Sequence, residues 1–411
     1  MNEWKEVRLG EVVQINPESL TKDYPFNVID YIDISSVGTG ELRETTQYPI
    51  SEAPSRAKRL VRAGDTILST VRPNRRSFLY LKKPKENQVV STGFAVLRAT
   101  EKINSRYLYY LISDQKFTDY LVSQEQGAAY PAVSIDSIKN AIVLLPDLET
   151  QEKIASILGS IDDKIELNVE MNKTLEEMAM TLYKHWFVDF GPFQDGEFVE
   201  SELGMIPEGW ECIEIGEAVS VLGGGTPKTS VKEYWENGDI NWFSPTDLTT
   251  QKSLFISKSS KKITKLGLEK SSAKLFPPYC VMMTSRATIG EISINREEAC
   301  TNQGFITLIP NETFTMYQLY FWLKTNMDLI LSIANGSTFK EVSKTNFKKL
   351  KILKPKNIEE FTQKCEKLFK LIESNLIEIE ELTNIKDYLL PRLLSGEIDV
   401  SKAEKQVEEV L

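Results

Sequence analysis

The sequence is poor in side chains that bind metal ions or act as nucleophiles. It has one histidine, His185, and four cysteines that are scattered without a CxxC pair (Cys212, Cys280, Cys300 and Cys365). A structural zinc site takes four ligands, and a disulfide framework needs cysteines at characteristic spacings. The sequence therefore predicts no metal, no cofactor and reduced, structural thiols.

Long apolar runs are absent as well. No stretch of eighteen apolar residues occurs, and the N-terminal "MNEWKEVRLG" lacks the apolar core of a secretory signal. We therefore expect a cytoplasmic protein that does not associate with membranes. The length of 411 residues predicts two or three domains.

The acidic charge is confined to parts of the chain. A formal net charge of −10 argues against a nucleic-acid partner, because an acidic surface repels phosphate. However, residues 1–148 carry 19 Lys and Arg against 18 Asp and Glu, and residues 206–356 carry 19 against 15. Residues 149–205 carry only 4 against 13, and residues 357–411 carry 7 against 13. A nucleic-acid partner is therefore compatible with the two balanced segments.

These alternating segments coincide with an internal repeat at a period of about 206 to 211 residues. "EWKEVRLGEVV" returns as "GWECIEIGEAV", and "VVSTGFAVLRA" returns as "ACTNQGFITLIP". Further on, "QGAAYPAVSIDSIKNAIVLLP" is matched by "NGSTFKEVSKTNFKKLKILKP". The matches occur in one order at nearly one offset, which predicts a tandem duplication.

Each repeat is predicted to begin with a mixed α/β domain and to end in a long helix. Strand-like runs such as "DTILST" and "CVMMTS" alternate with helical patterns such as "NSRYLYYLISDQKFTDYLVS". The predicted division is 1–148 for the first domain, 149–190 for a central helix, 191–206 for a linker, 207–356 for the second domain, 357–396 for a C-terminal helix and 397–411 for an acidic tail.

The two helical segments share an apolar seam at alternating spacings of four and three residues, which is typical of a coiled coil. Asparagine occupies the same position in both seams and would fix their register. The predicted seams are Ile154, Leu158, Ile161, Ile165, Asn168, Leu175 and Leu182, and Phe361, Leu368, Ile372, Asn375, Ile379 and Leu382. We expect an antiparallel coiled coil with approximate twofold pseudo-symmetry. The alternative is that each helix packs only on its own domain.

The helix motifs resemble those of the specificity subunit of type I restriction-modification systems. The first helix opens with "LPDLETQEKIASILGSIDDKIELN" and closes with "LYKHWFVDFGPF", and the second closes with "LLPRLLSGEIDV". The resemblance implies that 1–148 and 207–356 are target recognition domains, each reading half of a split, asymmetric DNA sequence. It also implies that the helices space the domains and dock two adenine-N6 methyltransferase subunits, and that restriction and translocation subunits complete the complex. The chain itself would be non-catalytic.

Motifs that would place catalysis in this chain are incomplete. An adenine methyltransferase needs Asn or Asp before Pro-Pro-aromatic to bond the flipped base, whereas this chain has Phe276 in "FPPY". The glycine cluster "LGGGTPK" lacks the spacing of a phosphate-binding loop. "PDLETQEK" lacks the acidic residue that a nuclease motif places two before Lys153, and it is better interpreted as a helix start.

The only histidine lies in an aromatic cluster at the end of the first helix, with Trp186, Phe187 and Phe190 beside His185. One histidine cannot form a metal cluster, and a general base needs a cleft and an orienting partner. We therefore expect packing or partner docking from these four residues. The resemblance implies contact with the methyltransferase in this region.

Candidate DNA contacts are the cations, which suit phosphate, and polar side chains that suit base edges. Arginine-rich stretches surround "DTILST", and the repeat places Arg286 opposite Arg72. Glycine-containing loops add further candidates. The predicted set is Arg59, Arg72, Asn74, Arg75, Arg76, Gln126 and Tyr130 in the first domain and Lys228, Arg286, Thr338 and Lys340 in the second. The alternative for each is a solvated surface residue or an ordinary turn.

Two other functions stay open. One is a self-sufficient adenine methyltransferase, against which the lack of a cofactor loop argues. The other is a scaffold without DNA, whose coiled coil spaces two interaction domains.

Overall fold

The structure is a computed structural model that describes residues 4–127, 131–336 and 340–408. It divides into two compact units, residues 1–167 with 378–411 and residues 168–377. Each unit therefore combines one globular domain with one part of each long helix. No helix within the described residues is long and apolar enough to cross a membrane.

The first globular domain consists of short strands and three short helices. In chain order these are β1 Lys5–Arg8, β2 Val13–Ile15, β3 Val28–Ile32, β4 Thr46–Pro49, β5 Ala57–Leu60, β6 Thr66–Ser69, β7 Phe78–Tyr80, β8 Gln88–Ser91, β9 Phe94–Ala99, α1 Ser105–Ser113, α2 Gln115–Ser123, α3 Ile135–Asn140 and β10 Ile142–Leu145. The Asn104 side chain caps α1 by accepting hydrogen bonds from two backbone N–H groups.

Two four-stranded sheets form the body of this domain. Their orders are β2-β9-β6-β7, which is antiparallel, and β4-β3-β8-β5, in which β3 and β8 are parallel. Strand β6 is buried throughout, as its continuous run of apolar and small residues predicts. β1 pairs with β10 and brings the start of the domain next to the start of the long helix.

The second domain repeats this plan with different insertions. Its elements begin after the first long helix, α4 Leu148–Phe187, and are β11 Phe198–Ser201, β12 Gly204–Pro207, β13 Glu211–Glu214, α5 Ile215–Ala218, β14 Ser220–Gly223, β15 Ile240–Phe243, α6 Pro245–Gln251, β16 Phe255–Ile256, β17 Lys261–Ile263, α7 Lys265–Glu269, β18 Val281–Thr284, β19 Ile292–Asn295, β20 Ala299–Thr301, β21 Phe305–Ile309, α8 Met316–Thr325, α9 Met327–Ser332, α10 Lys344–Phe347 and β22 Lys351–Lys354.

The sheet topologies agree with a tandem duplication. The order β14-β21-β18-β19-β16 corresponds to β2-β9-β6-β7 with one added strand, and β17-β15-β20 corresponds to β4-β3-β8. The central pair is parallel in both cases, β3 with β8 and β15 with β20. β13 pairs with β22 as β1 pairs with β10. The mixed α/β fold with two similar domains, predicted from the sequence, is confirmed.

Two helices follow the second domain, α11 Glu359–Leu394 and α12 Val400–Glu408. The long helices α4 and α11 pack against each other in both units. In the first unit Lys386 donates to Asp162 at 2.8 Å, and Lys164 lies 3.1 Å from Glu378. In the second unit the rings of Phe187 and Phe361 lie 5.0 Å apart. As the residue numbers increase along α4, the numbers of their contacts on α11 decrease. The predicted antiparallel pairing is therefore confirmed.

The predicted seam residues face the interior. Ile154, Leu158 and Ile161 are fully buried with Leu382 in the core of the first unit, and Phe361 and Ile372 are buried in that of the second. Ile165, Leu175, Leu182, Leu368, Asn375 and Ile379 are half-buried, and Asn168 is buried. Asn375 donates to the Asn172 side chain at 2.9 Å, so a polar contact interrupts the apolar seam.

The long helices end earlier than the sequence predicts. α4 stops at Phe187 because the N–H groups of Val188 and Asp189 both bond to the Lys184 carbonyl, and Phe190 takes a positive φ of 50°. The segment assigned to a linker contains most of the β11-β12 hairpin, and the segment assigned to an acidic tail contains α12. Ala403 of α12 is buried in the first core.

Ion pairs tie each domain to α4 or α11. Arg106 donates to Asp163 at 2.7 Å, and Lys82 donates to the same carboxylate. The hydrogen bond from Arg106, followed by the one from Lys82, holds the pKa of Asp163 below its usual value although partial burial opposes this. In the second unit Arg296 lies 3.4 Å from Glu373. Carboxylates of the acidic helices therefore neutralise cations of the domains.

Replacing Asn375 by Leu is expected to destabilise the second unit, because Asn172 then loses its hydrogen-bond partner in a half-buried seam. The Asn172 Nδ2 already finds no acceptor among the described residues. The free energy of unfolding should fall by about 1–3 kcal/mol, measured as a lower midpoint of urea unfolding by circular dichroism.

The double variant Asn172→Leu/Asn375→Leu removes both polar groups and should recover most of that loss. Lys367→Ala, at an exposed position of α11, is the control and should leave the midpoint unchanged. An equal loss in the single and double variants would contradict a polar contact inside the seam.

Candidate nucleic-acid interface

In the first domain three connections meet at one end of the sheet. β6 ends beside the start of β9, where Ser69 pairs with Phe94. The next residue, Thr70, donates its N–H to the Gly93 carbonyl at 2.9 Å and accepts from the Val133 N–H at 2.8 Å. The loop that follows α2 is thereby fastened to the loop that follows β6 and to the β8-β9 turn.

The second domain has the same three connections with the same backbone bonds. Ser285, after β18, donates to the Gly304 carbonyl at 2.8 Å and accepts from the Val342 N–H at 2.9 Å. The loop after α9 closes on itself through Asn335 and Glu341, as the loop of the first domain closes through Gln126 and Ala132. We call this set of connections the loop cluster of each domain.

The backbone bonds of the two loop clusters align Arg72 with Ala287, one residue after the predicted equivalent Arg286. Arg72 donates its N–H to Pro131, and Ala287 donates in the same way to Lys340. Both donors have positive φ, 49° and 62°. Arg286 therefore corresponds to Val71, which pairs with Ala132 as Arg286 pairs with Glu341. The predicted equivalence of Arg72 and Arg286 is therefore wrong by one residue, whereas DNA contact by either arginine stays a prediction.

The predicted residues of the first loop cluster have different surroundings. Asn74 and Arg75 are exposed on the short 3-10 turn that follows the half-buried Arg72. Arg76 is held by the Ser113 carbonyl at 2.5 Å and by the Gln115 side chain, so it packs the loop against the helices. Asn74 and Arg75 are thus the side chains that this turn offers to a partner.

The remaining predicted residues of this domain are less central. Gln126 is exposed at the base of its loop, and Tyr130 lies outside the described residues. Arg59 lies on β5, is half-buried and donates to Ser19 at 3.5 Å. Arg56 is exposed, and its carbonyl accepts from the Thr92 N–H at 2.8 Å, which puts Arg56 next to the β8-β9 turn.

In the second loop cluster the predicted arginine is paired. Arg286 Nε lies 3.7 Å from Glu341 Oε2, and both side chains are about half exposed. Lys340 is exposed beside this pair, and Thr338 lies outside the described residues. Lys228 is exposed on the loop that follows β14. Among the described residues, Lys340 and Lys228 are thus the predicted cations of the second domain that form no ion pair.

The glycines of "LGGGTPK" permit a close backbone approach. Gly225 donates to the Thr301 carbonyl at 2.9 Å, and its own carbonyl accepts from the Trp242 indole N–H at 2.9 Å. A Cβ at Gly224 would collide with the carbonyl oxygens of Thr301 and Asn302. The loop is thereby laid across the β20-β21 turn, where Thr226 Oγ1 donates to Gln303 Oε1 at 2.5 Å.

Sequence reasoning did not select the residues at the tips of the central turns. Gln303 follows β20, and Thr92 occupies the corresponding position after β8. Both are exposed. The available signal was the aligned pair "VVSTGF" and "ACTNQGF", in which a polar residue precedes the same Gly-Phe in each repeat. No cation marks these turns, whereas cations are the residue type that predicts phosphate contacts.

Comparison with known proteins places this arrangement in a family. The model of the type I restriction modification DNA specificity domain matches the chain twice, over residues 1–177 and 207–387. The chain belongs to this family.

Relatives of the family resemble the chain over nearly its whole length. It is similar to the type I restriction enzyme HindI specificity subunit of Haemophilus influenzae, with 27% identity over 97% of this chain and 100% of the relative. It is also similar to the MjaIX specificity subunit of Methanocaldococcus jannaschii, with 28% identity over 97% of this chain and 89% of the relative. The S subunit structure from M. genitalium shares the fold, with a TM-score of 0.57 and 14% identity over 95% of this chain and 96% of that one.

In this member of the specificity family, the aromatic cluster at the end of α4 is mostly internal. Phe187 packs on Phe361 and Trp210, and the ring centroids of Trp186 and Phe361 lie 6.2 Å apart. Phe190 is half-buried. His185 is exposed, with its ring so close to Gly191 that a Cβ there would collide with it. Trp186 and Phe187 therefore have little surface for a partner, whereas Val188 is 56% exposed.

Burial determines the state of the cysteine thiols in the described residues. Burial raises the pKa of Cys280, Cys300 and Cys365 to about 12, so these thiols are protonated at neutral pH. Burial also raises the pKa of Cys212. Across residues 4–127, 131–336 and 340–408, no three His, Cys, Asp or Glu side chains are grouped so that they could hold a metal ion.

Gly224→Ala is expected to displace the glycine loop, because the new methyl group meets backbone carbonyls that cannot rotate away. The cost should be about 1–3 kcal/mol in the free energy of unfolding. Hydrogen exchange at the Trp242 indole N–H should become faster, since its acceptor is the carbonyl of Gly225.

Gly223→Ala is the matched control. A Cβ at Gly223 would meet only the end of the Lys344 side chain, at 3.8 Å. This variant should keep the stability and the slow indole exchange. Equal effects of the two substitutions would show that the close approach at Gly224 is not what holds the loop.

Proposed function

We propose that this chain is the sequence-reading subunit of a type I complex, and that each domain reads one half of a split, asymmetric DNA target. One observation carries the proposal: the same loop cluster is built twice on one backbone plan with different side chains. Arg286 corresponds to Val71, Glu341 to Ala132 and Gln303 to Thr92. Two loop clusters with the same backbone arrangement but different polar side chains suit two different half-sequences.

The target recognition domains in this proposal are residues 1–148 and 207–356. Arg75, Lys228 and Lys340 are exposed cations that suit phosphate contacts, which fix position on the duplex. Asn74 and Gln126 are exposed and suit base edges. Arg59, Arg72, Arg76 and Arg286 make contacts within the chain, and a secondary role is proposed for them.

The long helices, 149–190 and 357–396, are proposed to carry the partner subunits. The relatives are specificity subunits of type I restriction enzymes. By that likeness the partners are adenine-N6 methyltransferase subunits, two per chain, and restriction and translocation subunits. The chain would supply sequence recognition, and its partners would supply the chemistry. This proposal makes the chain a subunit that acts on DNA in the cytoplasm.

Deleting the gene in its host is expected to abolish N6-methyladenine at one gapped, two-part motif, as measured by long-read sequencing. A plasmid copy of the wild-type gene should restore the same motif. A methylation pattern that is identical with and without the gene in cells that make the assembled complex would overturn the proposal. It would favour a scaffold that does not bind DNA.

Arg75→Ala is expected to weaken DNA binding by the assembled complex without changing its preferred sequence, because a phosphate contact carries no base information. The slope of log affinity against log salt concentration is negative, and loss of one such contact should reduce its magnitude by about 0.9. Filter-binding titrations over a range of salt concentrations would measure this slope.

Lys102→Ala removes one exposed positive charge at the opposite end of β9, away from the first loop cluster. It should leave the slope unchanged. If both variants reduced the magnitude of the slope equally, the effect would come from net charge, and the loop cluster would not be the phosphate-binding surface.

A further inference from the structure

We propose that Gln303 reads an adenine in the half-site of the second domain and that Thr226 is the positioning residue that orients its amide. The inference rests on the proposed function, and it names the base-reading group within that site. The β20-β21 turn, the glycine loop and the comparison with Thr92 support it.

Hydrogen bonds and close packing hold the turn that carries Gln303. Asn302 accepts from the Gly304 N–H through its side-chain oxygen at 2.8 Å. The Asn302 N–H in turn donates to the Phe243 carbonyl at 2.9 Å. Pro245 lies close against Gly304, so a Cβ there would be 3.2 Å from the proline ring. A turn that is held by such contacts before binding loses little conformational entropy on binding, which favours specific contacts.

The glycine loop fixes the amide. Gly224 and Gly225 let the loop approach Thr301 and Asn302, and this approach brings the Thr226 hydroxyl to Gln303 Oε1. In this arrangement the hydroxyl is the donor and the amide oxygen is the acceptor, so Oε1 faces Thr226 and Nε2 is left for another partner. The first domain has no copy of this glycine triplet, and its chain leaves the sheet at Asn16, which has a φ of 54°.

The fixed amide has the hydrogen-bond pattern that adenine requires. The Thr226 bond uses one lone pair of Oε1, which leaves the second lone pair and both Nε2 hydrogens. Within the described part of the chain, no other group bonds to the Gln303 amide. The major-groove edge of adenine offers the N6 amino group as donor and N7 as acceptor, and glutamine bonds both together. A neutral side chain would add little to phosphate binding, whereas Lys228, two residues after Thr226, suits that contact.

Thr92 provides an internal comparison. It occupies the same place in the first loop cluster and is exposed, but it carries a hydroxyl that donates or accepts. A single hydroxyl contacts more than one base, whereas the two-point contact of glutamine selects one. The half-site of the second domain should therefore be the stricter one at this position.

The test replaces the chromosomal gene with variants and maps N6-methyladenine by long-read sequencing, so the chain acts with its own partners. In the Gln303→Ala variant, the complex should no longer require adenine at one position of one half-site. The preference is measured as methylation of sites with adenine at this position divided by methylation of sites with another base there. This ratio should fall by about 5- to 150-fold, which is the discrimination that one bidentate base contact provides. Gln303→Glu removes the amide donor and should shift the preference toward cytosine, whose amino group donates.

Further variants separate orientation from a structural role. Thr226→Val keeps the shape but removes the hydroxyl, and it should weaken the adenine preference without abolishing it. Thr226→Ser keeps the hydroxyl and should restore it. Thr92→Ala should alter only the other half-site. Purified complexes of all variants should melt at the wild-type temperature, because the replaced side chains are exposed.

The outcomes distinguish the two proposals. A wild-type strain without any motif that depends on this gene would overturn the proposed function, and the inference would fall with it. A wild-type two-part motif that stays unchanged in Gln303→Ala would overturn the inference alone. A change in the same half-site as that altered by Thr92→Ala would overturn it as well. Uniform loss of methylation by intact Gln303 variants would also do so, because it would assign Gln303 to affinity and not to sequence.

Discussion

The hydrophobic seam between α4 and α11 is the constraint on which both units depend. In the first unit Leu158 of α4 and Leu389 of α11 belong to the same core as Leu108 of the globular domain. In the second unit Phe361 of α11 shares its core with Phe321 of the domain. Burial of apolar surface drives folding, and the largest hydrophobic core of each unit contains residues from both helices. Each unit is therefore assembled from segments that are far apart in sequence.

The same helices explain why net charge is a poor guide to the partner of this chain. Asp162, Asp163 and Glu373 each bond to a basic group from another element of their own unit. Part of the acidity of residues 149–205 and 357–411 is thus paired with cations of the same unit, whereas exposed cations such as Arg75 and Lys228 remain on the loops.

Sequence patterns predicted the duplication, the antiparallel helix pair and its seam, because periodicity records which face is buried. They did not predict the contacts of the loops. The β6 and β18 strands lie 215 residues apart, whereas the loops that end at Ala132 and Glu341 lie 209 apart. Aligning arginine with arginine therefore missed the correct frame by one residue. Local sequence also cannot reveal that Arg76 bonds to α1 and α2 or that Glu341 neutralises Arg286, since those partners are distant along the chain.

The two loop clusters share one backbone arrangement but carry different side chains at the tips of their turns. Backbone bonds at Thr70 and Ser285 hold the two loop clusters in one geometry and involve no side chains. Side chains at the tips can therefore differ, as Thr92 and Gln303 do, without disturbing the sheets beneath them. The glycine triplet of the second domain adds a support that the first lacks, because Thr226 can reach Gln303 only where the two backbones touch. Duplication followed by changes at such tips would give one subunit two independent specificities, and each could change while the helix seam stays intact.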